Sequence, residues 1–216
     1  MHAQTVNIFI AAQPAAGGVD LAQLAQNYAA RYFRTDPGPA APGGPSAASE
    51  TTPPPPAFLV PPAPGELWPG QGGYYIGQMP PVGDKPGYHL VVAVEEGDSL
   101  TWGGSGSESP QAAGMSSQHD GLANTVALNA DSAEHPAARY AACHVADGHA
   151  DFYLPSRLEL LLCFIQARHL FKTDGWYWSS SQCSRRSAWC QVFENGGSYH
   201  RKANEFRARA VRRIQL

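Results

Sequence analysis

The chain has 216 residues, a formal net charge of −3 and only 15% charged residues, with 22 glycines and 19 prolines. A chain of this length has room for one ordinary domain and additional segments, and this composition favours a loop-rich fold over a helical bundle. Since no apolar run approaches the roughly 20 residues of a membrane-spanning helix, we expect no membrane insertion.

Charge is unevenly distributed along the chain. From Cys183 onward there are eight basic and two acidic residues, a balance of +6 that leaves −9 for the rest. A basic end can indicate a nucleic-acid partner. Between Arg207 and Arg213, however, the arginines are interleaved with Ala and Val as in a strand, which favours structural or rim positions. We therefore expect no nucleic acid among the partners.

Residues 1–35 are interpreted as a segment for attachment or oligomerisation. The start of the chain has no basic region and only a short apolar, β-like stretch at 6–11, so no classical signal peptide is predicted. A helix is expected over about 21–33, with Asp20 as its N-cap. Because so short a helix is unstable alone, we expect its apolar face to pack on the main domain or on another subunit.

Residues 36–65 contain eleven of the nineteen prolines, four of them consecutive at 53–56. Such a segment lacks backbone donors and favours the extended polyproline II conformation. We interpret it as a semi-rigid linker between the attachment segment and a functional domain. A ligand for a proline-recognising domain is the alternative.

Residues 66–216 are predicted to form the functional domain. Turns at 68–73 and 95–98 accompany three β-prone segments, at 74–77, 88–94 and 100–104. Residues 105–150 are expected to be loop-rich, with one short helix at about 136–143.

The clearest local signal is the capping box of Ser156 and Glu159, in which each side chain satisfies a backbone donor of the other residue. A helix is expected from there to near His169, with one apolar face formed by Leu158, Leu161, Leu162 and Ile165. Strands are predicted after it, at 176–180, 188–193 and 207–214.

This domain contains the short motifs WPGQGG at 68–73, DGLANT at 120–125, HPAA at 135–138, FYLPS at 152–156, WSSS at 178–181, AW at 188–189 and RAVRR at 209–213. Together they resemble those of the bacterial and phage domain of unknown function 1566, also called the Lcl C-terminal domain. The resemblance covers residues 68–216 and implies an α+β, C-type-lectin-like fold with two helices, small antiparallel sheets and long loops. The variable proteins of diversity-generating retroelements and the formylglycine-generating enzyme are similar in fold.

The same resemblance implies a ligand surface on the final strands and loops, built on a fixed frame. The frame residues are Trp176, Trp178, Trp189, Phe193, Gly196 and Gly197. The candidate ligand-binding residues are Cys183, Ser184, Arg185, Arg186, Ser187, Cys190, Val192, Ser198, Tyr199, His200 and Arg201. All of these are residue types that adenine changes in an AAC codon can produce. This is compatible with a gene diversified by a retroelement.

The residue types in this region are compatible with more than one role for several side chains. The three tryptophans could stack on sugar rings, but their β-like placement favours the core. Exposed contacts are expected from Tyr199 and His200, which follow a glycine-rich turn. Arg185, Arg186, Arg201 and Lys202 fit either acidic ligand groups or a solvated rim. Arg207, Arg209, Arg212 and Arg213 are expected to make structural hydrogen bonds and ion pairs.

The four cysteines, at positions 143, 163, 183 and 190, have no metal-ligand spacing. Cys163 lies in an apolar run and is expected to be a buried thiol. A disulfide between Cys183 and Cys190 is an open alternative that requires an oxidising compartment.

Two clusters of polar residues are candidates for a metal or catalytic site. Asp120, Asn124, Asn129 and Asp131 carry oxygen ligands for calcium, but their spacing is not that of an EF-hand and Asx-turns explain them equally well. His144, Asp147, His149 and Asp151 could form a metal or acid–base site. Since the usual catalytic motifs are missing, we expect neither metal, cofactor nor enzymatic activity.

The sequence therefore predicts a non-enzymatic binding protein, of the phage tail-tip or bacterial surface adhesin type. Its expected partner is a host-surface protein or glycan, and it is expected to form a homo-oligomer, for example a trimer, or to dock on a larger assembly. A location on the virion or the cell surface follows from this interpretation. The alternatives are an oxidase of the formylglycine-generating type and a structural virion or envelope component without a ligand.

Overall fold

The computed structural model describes residues 60–105 and 117–216. The helix predicted near the N-terminus and most of the proline-rich linker lie outside these residues.

The described part is an α+β fold of nine strands, three α-helices and one 3-10 helix. The first strands are β1 (Leu67–Trp68), β2 (Gly73–Met79), β3 (Tyr88–Ala93) and β4 (Gly97–Thr101). The helices are α1 (Gly121–Asn129), α2 (Pro136–Ala142), α3 (Arg157–Ala167) and the 3-10 helix Arg168–Leu170. The last strands are β5 (Trp176–Gln182), β6 (Ser187–Val192), β7 (Gly196–Arg201), β8 (Glu205–Ala208) and β9 (Val211–Gln215).

The strands form two sheets. The first has the order β1-β2-β3-β9 and is antiparallel throughout, so the last strand of the chain pairs with an early hairpin. The second has the order β4-β8-β5-β6-β7, and only its β5–β8 pair is parallel. Strand β7 therefore forms one edge of the second sheet.

The single strand predicted at 207–214 was wrong, because the chain changes sheets within it. Strand β8 ends at Ala208 in the second sheet and β9 begins at Val211 in the first. Arg209 lies between them, 5% exposed, and donates to the backbone carbonyls of Ala93, Val94 and Leu170. The alternation of residue types along 207–214 could not reveal this break, since both halves of the segment carry strand-like residues.

Helix α1 occupies a region that was predicted to be loop. Asp120 caps it by accepting a hydrogen bond from the Ala123 N–H at 3.1 Å. A glycine is needed at position 121, because a Cβ there would lie 2.4 Å from Glu159 Oε2. The turn-forming residues of this segment thus mark a helix start packed against α3. The short helix predicted near 136–143 is confirmed as α2.

The capping box that begins α3 is confirmed, with Ser156 Oγ 3.3 Å from the Glu159 N–H and Glu159 Oε2 2.7 Å from the Ser156 N–H. The apolar face predicted for this helix is only partly right. Leu161 is 37% and Ile165 64% exposed, whereas Leu160 and Cys163 are buried. Because the helix is apolar on nearly all sides from Leu158 to Ile165, its periodicity does not select the buried face.

The buried face of α3 is determined by Glu159, which is itself fully buried. Its carboxylate accepts hydrogen bonds from the hydroxyls of Tyr88 and Tyr153, both at 2.6 Å. It also accepts the Gly121 N–H at 3.1 Å, which ties α1 to α3. A buried carboxylate must be satisfied in this way, so the position of Glu159 fixes the rotation of the helix.

The arginines at the end of the chain are structural, as predicted. Arg212 Nε lies 3.0 Å from Asp151 Oδ1, Arg213 Nη2 lies 2.6 Å from Asp120 Oδ1, and Arg207 Nη1 lies 3.1 Å from Asp174 Oδ1. Most of the basic surplus of the C-terminal region is therefore bound internally.

Within the described residues, no helix is both long and apolar enough to cross a bilayer.

Candidate ligand-binding surface

The C-terminal strands rest on a fully buried aromatic base. Tyr177, Trp178 and Phe193 are each 0% exposed, and Phe193 stacks on Phe171 with ring centroids 3.8 Å apart. Trp178 Nε1 donates to the Leu100 carbonyl at 2.8 Å, which links the base to β4. Of the predicted frame, Trp178 and Phe193 are thus core residues, while Trp176 and Trp189 are partly exposed.

Strands β6 and β7 form an antiparallel hairpin whose two faces differ. Trp189 pairs with Tyr199, and their rings meet edge to face with centroids 5.7 Å apart. Since side chains alternate along a strand, Arg201 lies on the same face as Tyr199. His200 lies on the opposite face, with its ring centroid 4.4 Å from that of Trp176. The sequence predicted these positions as one surface, and the pairing divides them between two.

The face that carries Trp189 is completed by helix α3. The Arg157 guanidinium carbon lies 3.7 Å from the centroid of the Trp189 ring, a cation–π contact. Arg157 itself is exposed and Tyr199 is 56% exposed. We call the face formed by Arg157, Trp189, Tyr199 and Arg201 the hairpin face.

A small cavity of about 100 Å³ opens beside Trp189. Its lining residues are Arg157, Leu160, Leu161, Ser179, Trp189, Cys190 and Gln191. Sites for drug-sized ligands have volumes of about 300–1,000 Å³, so this cavity can hold one small group of a larger ligand. The side chains around its mouth belong to the hairpin face.

The turn between β5 and β6 carries five of the candidate residues, Cys183 to Ser187. Cys183, Ser184, Arg185 and Arg186 are exposed, and Ser187 is partly exposed. The turn is held by the Cys183 N–H donating to Ser187 O at 3.0 Å and the Ser187 N–H donating to Ser184 O at 3.3 Å. These candidate residues are therefore accessible on an ordered turn.

Two candidate ligand-binding residues, Cys190 and Val192, are buried, with 4% and 9% exposure. They lie on the inner face of β6, because this strand alternates between core and hairpin face. Lys202, which the sequence left open as a contact for acidic groups, is 0% exposed and donates to Gln182 Oε1 at 2.7 Å. Ser198 pairs with Cys190 in the sheet register.

All four cysteines are free thiols, and Cys163 is buried as predicted. Burial raises the pKa of the Cys190 thiol to about 12 and also raises the pKa of Cys183. Since the thiolate is the reactive form of cysteine, neither residue has the environment of an activated nucleophile or metal ligand.

The histidines and aspartates at 144–151, considered together as a possible site, each make separate structural contacts. Asp147 Oδ2 accepts the Gly72 N–H at 2.9 Å, and His149 Nε2 lies 3.0 Å from the Gly70 carbonyl. His144 packs edge to face on Phe152, and burial lowers its pKa. These side chains brace the loops around β2 and do not converge on a common point.

The carboxylates considered for calcium are also used internally. Asp120 pairs with Lys85 and Arg213, both at 2.6 Å, and the Asn124 amide donates to Ser117 O at 2.7 Å. Across residues 60–105 and 117–216, no three His, Cys, Asp or Glu side chains form a group that could hold a metal ion.

Arg157 of the hairpin face and Leu161 of the cavity lining were not found as site residues from the sequence. They are remote in sequence from β6 and β7, and only the packing of α3 brings them together.

Searches against protein-family models and against curated protein sequences gave no match to this chain.

Proposed function

We propose that the protein is a non-enzymatic ligand-binding protein and that the hairpin face is its contact surface. The observation that carries this proposal is the pair of the partly exposed Trp189 and the exposed Tyr199, contacted by the Arg157 guanidinium, on strands next to a fully buried aromatic base. Exposed aromatic and arginine side chains at the centre of a rigid surface are typical of binding hot spots.

The division between base and face supports this function. Side chains of the base carry the stability of the sheet, while Tyr199, Arg201 and the 183–187 turn project from it. Substitutions in the exposed set can therefore change what is bound without unfolding the domain.

A C-type-lectin-like fold and membership of the family of unknown function 1566 are part of the proposal. The α+β architecture, the two small sheets and the pairing of β9 with the β2–β3 hairpin support it. In such a fold a diversified gene would vary the hairpin face and the 183–187 turn, and leave Trp178 and Phe193 unchanged.

The biological setting we propose is a phage tail tip or a bacterial surface, with a host-surface protein or glycan as partner. The preceding proline-rich segment would connect the domain to a larger assembly. Several copies, as in a trimer, would convert weak single contacts into firm attachment.

The experiment that tests the proposal measures binding of the labelled full chain to a panel of intact bacterial cells and to a glycan and protein array. Tyr199→Ala with Arg157→Ala is expected to abolish the signals given by the wild type. Val145→Ala is the matched control, because this side chain is 64% exposed on a different loop. Binding that survives the double change, or no wild-type signal on any panel, would contradict the proposal.

Diversification of the gene is tested by sequencing its 3′ end in a grown population of its source. Substitutions concentrated at adenines of codons 183–201, with the Trp178 and Phe193 codons unchanged, are expected. A uniform sequence would overturn diversification and leave a binding protein of fixed specificity.

A further inference from the structure

The arginines of the hairpin face differ from those at the end of the chain in lacking a counter-charge. Arg207, Arg212 and Arg213 each pair with an aspartate. Within the part of the chain that the structure describes, Arg157 and Arg201 have no carboxylate partner, and Arg157 Nη1 donates a long hydrogen bond to the neutral Gln118 Oε1 at 3.5 Å. The hairpin face therefore presents positive charge that is available to a ligand.

Arg157 is also restrained by a neighbouring ring. Its guanidinium carbon lies 3.7 Å from the centroid of the Trp189 ring, and the fork keeps N–H donors for a ligand. A planar fork of this kind matches the two oxygens of a carboxylate. Because the stacking orders the side chain in advance, little conformational entropy is lost when an anion binds.

The cavity beside Trp189 contains an unused hydrogen-bond acceptor. Gln191 lines it and is only 4% exposed, and its amide nitrogen donates to the Val192 carbonyl at 3.0 Å. Among the described residues no donor reaches the other atom of this amide, Oε1. Leu160 and Leu161 form apolar walls of the same cavity.

These three features together define a ligand. The cavity fits a small group with a methyl and an N–H, the Arg157 fork fits a carboxylate beside it, and the Tyr199 ring, which contacts Trp189, offers a further apolar surface. We propose that the hairpin face binds an N-acetylated, carboxylated sugar of the sialic acid class, with the acetamido group in the cavity. This inference rests on the proposed function and specifies its ligand.

The test is titration of the full chain with 3′-sialyllactose and with lactose, its neutral core, followed by calorimetry. We expect binding of 3′-sialyllactose and at least about ten-fold weaker binding of lactose, because a charge-assisted bidentate contact is lost. Raising the salt concentration is expected to weaken the binding of 3′-sialyllactose. Equal binding of the two sugars would overturn the proposal.

Two variants locate the contacts. Arg157→Gln is expected to weaken 3′-sialyllactose binding at least about ten-fold, whereas Arg139→Gln, an exposed arginine of α2, is the matched control and should leave it unchanged. Gln191→Leu should remove the preference for the N-acetylated sugar over its de-N-acetylated form. Thermal unfolding within a few degrees of wild type shows that each variant is folded. An unchanged affinity in folded Arg157→Gln contradicts the assignment.

The panel experiment separates failure of the ligand class from failure of the function. If cells or array components bind through Tyr199 and Arg157 while 3′-sialyllactose does not bind, the surface is right and the ligand class is wrong. If neither experiment depends on these side chains, both proposals are wrong.

Discussion

Trp178 and Trp189 lie on adjacent strands of one sheet and have opposite environments. Trp178 is fully buried and its indole N–H donates to Leu100 O. Trp189 is partly exposed, lies beneath the Arg157 guanidinium and touches the Tyr199 ring. The first stabilises the domain and the second shapes its surface. The comparison shows that residue type and strand context do not decide between core and contact roles; the packing of a remote helix on one side of the sheet does.

The largest expected effect is that of Trp178→Ala. Removing a fully buried indole should lower the free energy of unfolding by about 3–5 kcal/mol, measured by urea denaturation followed by circular dichroism. Trp189→Ala, the matched change on the hairpin face, should cost only about 1 kcal/mol, since it loses a half-exposed stacking contact. Equal losses in the two variants would contradict the division into base and face.

Glu159→Ala tests the buried network that orients α3 and with it Arg157. The change leaves the hydroxyls of Tyr88 and Tyr153 without their acceptor, and we expect a loss of about 3 kcal/mol in the free energy of unfolding. Glu134→Ala, at an exposed position, is the control and should change stability by less than about 0.5 kcal/mol. A small effect of Glu159→Ala would show that packing alone rotates the helix.

Asp120→Asn tests the ion pairs that join α1 to the first sheet. Burial alone raises the pKa of this carboxyl, but hydrogen bonds from Lys85 and the nearby charge of Arg213 outweigh it and hold the pKa at about 2. The depressed pKa contributes about 2 kcal/mol of stability above pH 4, which is lost as the pH falls towards 2. Denaturation at several pH values should show this loss in the wild type and less of it in Asp120→Asn. The exposed Asp84→Asn should retain the wild-type profile.

The smallest expected effect concerns the reactivity of the thiols. Their labelling distinguishes buried from exposed positions without changing the stability of the protein. A thiol reagent should label the exposed Cys143 and Cys183 in the native protein, and all four cysteines only after denaturation. Rapid native labelling of Cys190 would place β6 in a different orientation. Labelling of neither Cys183 nor Cys190 in the unreduced protein, even after denaturation, would indicate a disulfide between them.

Much of the local structure could be predicted from the sequence. The capping box at Ser156 and Glu159, the β-prone run at 88–94 and the short helix after Pro136 are encoded within a few residues, where propensity and capping chemistry act directly. Helix α1 could not be predicted in this way, because its glycine and aspartate are equally suited to a turn. Its helical state depends on packing against Glu159.

The candidate surface was predicted only in part. Tyr199 and the 183–187 turn were found, because a glycine-rich turn and a polar run signal exposure. Burial of Cys190 and Val192 was missed, since strand alternation gives two faces without saying which one the core covers.

By itself, then, the sequence determined the helix start at Ser156 and the structural role of the C-terminal arginines, which depend on short-range pattern or on charge balance, while the α+β class was implied by the resemblance of its motifs. Only the tertiary structure decided which face of α3 is buried, where the chain changes sheets after Ala208, and that Arg157 stacks on Trp189. Each of these depends on contacts between residues far apart in the chain, and the free energy of satisfying buried groups such as Glu159 selects among arrangements that the local pattern leaves equivalent.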